Sequence, residues 1–273
     1  MDQMPEQGCQ INQICRFMED FAPLRLAEEW DNVGLLVGDR QGSVERVMTC
    51  LTVTPESVAE AIERRAELIV AHHPLPFRPL KRLTRDTTAG GMLLDLARNG
   101  IAVYSPHTCF DSASQGINQS IAERLGLERI QPLRPFDSDP DDLGSGRRGV
   151  YSSPRSIEEW TRSVASLFGI QGVHRVAEPD APVRKVAVAC GAAGEFLSTA
   201  AHFDCDTFLT GETNFHTCLE AKAQGISMVL TGHYASERFA LEQLAERLRE
   251  AFPTLSFWAS ESESDPLEWA SNS

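Results

Sequence analysis

Apolar and polar positions along the chain change their period several times. Ile11, Ile14, Cys15, Met18 and Phe21 recur at three- and four-residue intervals over residues 8–21, which predicts an amphipathic helix. Trp30-Asp31-Asn32-Val33-Gly34-Leu35-Leu36-Val37-Gly38-Asp39 then reads as a turn entering a short apolar strand. Strands are predicted at 44–53 and 68–71, with a helix over 55–65 that starts at Thr54 as cap and Pro55 as first helical residue. The second half offers the same series: strand 183–190, helix 195–202, strand 207–210. Helices at 91–99 and 217–224 each end at a Gly and lead into matching runs, Gly100-Ile101-Ala102-Val103-Tyr104-Ser105-Pro106-His107 and Gly225-Ile226-Ser227-Met228-Val229-Leu230-Thr231-Gly232-His233. Two copies of a β-α-β-α-β unit account for this order, and helices alternating with strands imply largely parallel sheets.

The expected organisation is a first α/β repeat with its N-terminal helix over 1–135, a connector and second repeat over 136–258, and an acidic, Ser-rich tail over 259–273, mobile or tucked. The connector, residues 137–149, is charged and glycine-rich, and a helix is predicted after it at 157–168. Its Gly144-Ser145-Gly146-Arg147-Arg148-Gly149 spells G-x-G-x-x-G. A dinucleotide fingerprint needs a strand before it and a helix directly after it. An acidic loop precedes this one and Val150-Tyr151-Ser152-Ser153-Pro154 follows, so a Rossmann site is rejected.

With 273 residues, 42% of them hydrophobic, the chain can bury one large or two modest cores. No stretch is long and apolar enough to span a membrane, and Met1-Asp2-Gln3-Met4-Pro5-Glu6 lacks the basic then apolar run of a secretory leader. A soluble, cytoplasmic protein is expected. The seven cysteines are an odd number without C-x-x-C, which predicts reduced, mostly buried thiols. A formal net charge of -14 argues against nucleic-acid binding, because phosphate contacts need clustered Lys and Arg. The one dense basic stretch is Arg78, Lys81, Arg82 and Arg85, read as a solvated loop or as a grip on an anionic substrate or a neighbouring subunit.

Candidate chemistry gathers at the strand ends. His107 is followed four residues on by Asp111, and His233 by Glu237, while Ala66-Glu67-Leu68-Ile69-Val70-Ala71 runs into His72-His73. In open α/β sheets ligands collect outside the carboxyl ends of the strands, and His with carboxylate is the donor set of a borderline transition metal. Neighbouring side chains on a strand point to opposite faces, so His72 and His73 suit two ions a few ångströms apart better than one. Glu237, one helical turn from His233, can share that ion and bridge to the next; Asp111 adds a second negative ligand. His107 and Glu212 stand at corresponding strand ends, either as proton-moving groups or as partners that orient a liganding imidazole. His216, four residues after Glu212, carries the same ambiguity.

At Trp30-Asp31-Asn32-Val33-Gly34-Leu35, Ala71-His72-His73-Pro74, Tyr104-Ser105-Pro106-His107-Thr108-Cys109-Phe110-Asp111, Thr210-Gly211-Glu212 and Gly232-His233-Tyr234-Ala235-Ser236-Glu237, the chain resembles the GTP cyclohydrolase 1 type 2 homologues, the Nif-three-like family. Phe77-Arg78-Pro79-Leu80-Lys81-Arg82-Leu83-Thr84 and Asp265-Pro266-Leu267 look closest to its eukaryotic-type branch. The length matches the compact form without an inserted domain. The resemblance implies an α/β fold of two intertwined, duplicated repeats with largely parallel, mixed sheets, and a toroidal homohexamer built as a trimer of dimers. It implies two divalent ions per chain (Zn, Mn, Fe or Co) on His72, His73, Asp111, His233 and Glu237, with Glu237 bridging.

Two functions compete. One is a metal-dependent hydrolase acting on a nucleotide-like or phosphoester substrate, with His107 or Glu212 moving protons. The other is a noncatalytic metal-binding scaffold or regulatory protein that presents its surface to protein partners. Kinship in fold does not transfer chemistry without a matching site.

Overall fold

The computed structural model describes residues 8–268. The first seven residues, where a leader was considered, and residues 269–273 of the expected tail lie outside the described residues. In chain order the elements are α1 (Ile11–Phe21), β1 (Gly34–Val37), β2 (Arg46–Cys50), α2 (Pro55–Glu63), β3 (Leu68–Ala71), α3 (Thr88–Arg98), β4 (Ala102–Ser105) and α4 (His107–Ser112). There follow α5 (Ile117–Arg124), β5 (Glu128–Pro135), β6 (Gly144–Ser156), α6 (Ile157–Phe168), β7 (His174–Val176), β8 (Pro182–Ala189), α7 (Leu197–His202) and β9 (Thr207–Thr210). The series closes with α8 (Phe215–Gln224), β10 (Ser227–Leu230), α9 (His233–Glu237), α10 (Phe239–Ala251) and β11 (Ser256–Ala259). The chain divides into two compact units, one comprising residues up to Phe110 with Leu241–Ser264, the other Asp111–Ala240 with the residues from Asp265. The boundary expected after residue 135 lies inside the second unit, between β5 and β6.

The first unit carries a five-stranded sheet in the order β1-β4-β3-β2-β11. β2, β3, β4 and β11 run parallel and β1 antiparallel. β3 lies at the centre and all four of its residues are buried, which is why Leu68–Ala71 reads as an unbroken apolar run. Met48, Cys50, Ile69, Ala71, Leu96, Ile101, Val103 and Trp258 form the core against this sheet. α2 starts as its sequence predicts: Thr54 Oγ1 accepts from Ser57 N at 3.2 Å, and Ser57 Oγ accepts from Thr54 N at 2.8 Å. Both first-turn donors are thereby satisfied.

Just beyond β11, residues 260–264 stay with the first unit. The Glu60 carboxylate accepts from Trp258 Nε1 at 2.9 Å, Ser260 Oγ at 2.7 Å and Ser262 N at 3.0 Å. Burial pushes this carboxyl up, but the hydrogen bonds from Ser260, Ser262 and Glu261 outweigh it and bring it down to about 2. Glu263 in turn accepts from Leu51 N at 3.0 Å and Thr52 N at 2.7 Å. Of the two readings of the tail, residues 260–263 take the tucked one.

The second unit carries six strands in the order β5-β6-β8-β9-β10-β7. β8, β9 and β10 run parallel and their neighbours antiparallel. The series β1-β2-α2-β3-α3-β4 thus returns as β7-β8-α7-β9-α8-β10, with the same adjacency and the same antiparallel strand on the third parallel one. Leu133, Ala187, Ala189, Phe196, Phe208 and Met228 form the core here.

The connector needs correction: residues 144–149 are the start of β6, a 13-residue strand paired with both β5 and β8. Its glycines serve strand packing. A Cβ on Gly144 would lie 2.6 Å from Pro135 Cα, and one on Gly149 would lie 2.9 Å from Leu127 Cβ. Arg147, read as part of a charged loop, is 2% exposed. Its Nε donates to Gln119 Oε1 at 2.7 Å, and its terminal nitrogens donate to the carbonyls of Gly144, Gly146, Ser112 and Ala113. Burial among neutral acceptors pushes the guanidinium down to about 10, and the bonds tie β6 to the chain just after Asp111.

Among the described residues no helix is long and apolar enough to cross a membrane. None of the seven cysteines is in a disulfide, and five of them are buried.

Candidate metal centre

In the first unit the donors sit where β3 and β4 end. His72 N and His73 N still extend the ladder to Cys50 O and Leu51 O, at 2.9 and 2.8 Å. Past Ala71 the backbone turns, so the two rings converge to 5.0 Å between centroids, with 52° between their planes. His107, at the head of α4, joins them at 5.2 Å from His72 and 5.6 Å from His73. One nitrogen from each of the three imidazoles falls within 4.8 Å of the others. Such spacing suits two adjacent ions as well as one shared ion.

These imidazoles are oriented from behind. Thr52 Oγ1 is 2.7 Å from His73 Nδ1, and Asp31 Oδ1 is 2.7 Å from His107 Nδ1. A carboxylate only accepts, so His107 donates its Nδ1–H to Asp31 and carries its lone pair on Nε2. Asp31 also accepts from Thr108 N at 3.2 Å and Asn32 N at 2.7 Å. Burial raises the Asp31 carboxyl, but the hydrogen bonds from His107 and Thr108 prevail and hold it below its ordinary value. His107 itself has φ of 27°, a conformation residues with side chains adopt seldom and one found at functional sites.

In the second unit Glu212 follows β9, and His233 and Glu237 lie one turn apart on α9. His233 is held from both sides, with Nδ1 2.9 Å from Glu212 Oε1 and Nε2 3.1 Å from Glu237 Oε2. The hydrogen bond to Glu237 leads in pushing this imidazole up to about 9, against burial and with help from Glu212. The Glu237 side chain is nearly inaccessible at 4% exposure. Gly191 admits it, and Gly211 packs against Gly191 in turn. At Gly191, with φ of 64°, a Cβ would collide with Glu237 Oε1 and come 3.4 Å from His233 Nε2, while at Gly211 one would meet Gly191 O at 2.6 Å. Asp111 is anchored by Asn118 Nδ2, which donates to its carbonyl at 3.1 Å, and by the Cys190 thiol, which donates to Oδ1 at 3.1 Å. Burial and then the charge of Asp111 push that thiol well above its ordinary value. Beside Glu212, a cavity of about 630 Å³ is lined by Ala192, Gly194, Glu195, Thr213, Asn214 and Thr217.

The first unit therefore brings His72, His73 and His107 together, and the second brings His233 to Glu237 and Glu212. His216 is exposed on α8, with its ring against Phe215. Three supporting residues escape a reading of donors alone: Asp31, Thr52 and Cys190. A signal for Asp31 was present, since it lies in the Trp30-Asp31-Asn32 turn; nothing local marks Thr52 or Cys190.

Residues 9–266 match the Duf34/NIF3 (NGG1p interacting factor 3) family. The chain belongs to this family. It is 32% identical over 262 residues to a "GTP cyclohydrolase 1 type 2 homolog" of Clostridium perfringens, covering 95% of this chain and 99% of that one. "NIF3-like protein 1" of Drosophila melanogaster is 32% identical over 269 residues, covering 95% and 89%. The crystal structure of a Bacillus cereus protein related to NIF3 superposes with a TM-score of 0.88 at 23% identity, covering 96% of this chain and 99% of that one. That likeness carries the α/β fold.

The donor set passes a chemical test for a divalent ion. Imidazole nitrogens oriented through Nδ1, and carboxylates beside another imidazole, are groups that could hold a metal ion.

Proposed function

We propose that this chain holds two divalent metal ions on His72, His73, Asp111, His233 and Glu237, with Glu237 shared between them. In this reading it is a metal-dependent hydrolase of a nucleotide-like or phosphoester substrate, cytoplasmic, and assembled as a ring-shaped homohexamer of three dimers. The observation that carries it is the orientation of the imidazoles: Asp31 ties His107 and Thr52 ties His73 through Nδ1, the arrangement that prepares Nε2 as a ligand or proton carrier. When bound, the ions lower the pKa of a water and polarise a substrate oxygen or ring nitrogen. His107 accepts a proton at Nε2 and returns it to the leaving group, while Asp31 stabilises the imidazolium through Nδ1. Glu212 keeps the His233 ring in its plane. The relatives named GTP cyclohydrolase 1 type 2 homologues support a nucleotide over other phosphoesters.

Elemental analysis of the purified protein is expected to return about two divalent ions per chain, as a two-metal hydrolase requires. Glu237→Gln is expected to lose most of the metal and all hydrolysis while its circular dichroism stays native, because a neutral amide cannot balance two cations. Normal metal content in this variant rules out the shared carboxylate. Full metal content in the native protein with no turnover across a screen of nucleotides and phosphoesters leaves the noncatalytic scaffold, to which the name NGG1p interacting factor lends support. Light scattering of the native protein tests the hexamer.

A further inference from the structure

Trp30 is 61% exposed and Phe77 43% exposed, although large aromatic side chains are ordinarily mostly buried. Their rings meet at 6.0 Å with 58° between planes. Both lie in T-shaped contact with His107, at 5.9 and 6.1 Å and at 77° and 86°. The aromatic pair therefore continues directly into the group of three imidazoles.

Neither ring sits on a loose loop. Asp31, next to Trp30, is locked to His107 and Thr108. Asn32 Nδ2 donates to the carbonyl of Pro76, next to Phe77, at 2.7 Å. The residues adjoining the two aromatics are thus bonded to each other and to the site, and the exposed faces are held ready. Phe77 leads into Arg78, Lys81 and Arg82, all exposed, the dense basic stretch of a chain with net charge -14. Such a local reversal of sign attracts a small anion without favouring long nucleic acid.

We propose that Trp30 and Phe77 are a stacking platform for the base of a mononucleotide, whose phosphate engages Arg78, Lys81 or Arg82. The proposal rests on the hydrolase reading for its substrate class and deepens it: the ring, rather than the phosphoester alone, is recognised. Stacking on an aromatic side chain needs only a π-face and contributes enough per base to change affinity by about tenfold or more.

The test uses the full chain as purified, with calorimetric titration of guanosine 5′-monophosphate and of ribose 5-phosphate. The native protein is expected to bind the nucleotide at least tenfold more tightly than the sugar phosphate. Trp30→Leu and Phe77→Leu, which keep apolar bulk but remove the π-face, are expected to lose about tenfold on the nucleotide and nothing on the sugar phosphate. Arg78→Ala with Lys81→Ala is expected to weaken both ligands together. Equal affinity for the two ligands, no nucleotide binding, or unaltered binding by both Leu variants overturns the proposal. Leu80 and Leu83 are exposed nearby, so light scattering accompanies each titration. A smaller assembly in Trp30→Leu identifies the face as a contact between copies and also overturns it. The two readings fail separately: nucleotide binding with this signature but no turnover defeats the hydrolase, and turnover of a baseless phosphoester without base preference defeats the platform.

Discussion

His107 and His233 occupy the same place in the two units, at the head of the helix that follows the third parallel strand, and each has Nδ1 tied to a carboxylate. Around them the units diverge. In the first unit the tie is Asp31, with a fully buried side chain, the residue before the site supplies no glycine, and His107 itself takes the positive φ of 27°. In the second the tie is Glu212, half exposed, and Gly232 takes φ of 91° in place of its histidine. The middle strand of the first unit ends in two imidazoles, that of the second in Gly211 and Glu212. One architecture, written twice, has been given nitrogen donors in one copy and mainly oxygen donors in the other. Duplication supplies the strand ends, and what each end does is decided by single residues.

The sharpest way to break the comparison uses two glycines with nearly the same backbone. Gly100 has φ of 67° and Gly191 of 64°, but a Cβ at Gly100 meets nothing within 4 Å whereas one at Gly191 strikes Glu237. Gly100→Ala is expected to cost only the left-handed conformation, about 1 kcal/mol, with metal content unchanged. Gly191→Ala is expected to cost more in thermal melts and to lose most of the metal. Equal losses in elemental analysis would refute a special role for the second unit's loop. Next, Asp31→Asn is expected to destabilise by roughly 2–3 kcal/mol, since a buried charged acceptor with several donors is lost. Its counterpart Glu212→Gln, half exposed, should stay under about 1 kcal/mol. Denaturant titrations that rank them the other way sink the contrast.

A third variant, Thr52→Val, keeps volume but releases His73 Nδ1. Metal affinity by chelator competition is expected to fall about tenfold or more; an unchanged affinity means that His73 needs no such support. The smallest effect appears only in acid. Glu60 stands at about 2 against an ordinary 4.5, so its contribution is complete above pH 4.5 and is lost as pH falls towards 2. Melting temperatures of Glu60→Gln should converge with those of the native protein across that interval. Parallel curves down to pH 2 would count against Glu60 as the anchor of residues 260–263.

The central parallel strands were legible because they are buried on both faces: Leu68–Ala71 and Thr207–Thr210 were found at their observed bounds, as was the helix Ile157–Phe168. β5, β6, β7 and β11 were not, because edge and antiparallel strands alternate or carry charge. β6 in particular hides Arg147 behind a loop-like composition, and its burial depends on the carbonyls of Ser112 and Ala113, 35 and 34 residues away in the chain, which no local pattern records. At the site, His72, His73 and His107 were legible from their strand ends. The supports were not: Thr52 resembles any loop threonine until Glu263, over 200 residues on, fixes its backbone.

That last dependence bears on how the protein is made. The larger part of the second unit, Asp111–Ala240, is an insertion between Phe110 and Leu241 of the first, so all six of its strands have been synthesised once Leu230 is added. The first unit's sheet must wait for Ser256–Ala259 to supply its outer parallel strand. Its grip on Thr52 must wait for Glu263. A chain halted or clipped before residue 256 would contain every donor residue and yet lack both the edge strand and the support behind His73. The histidines are encoded early, but the backbone behind one of them is fixed only after Glu263 has been added.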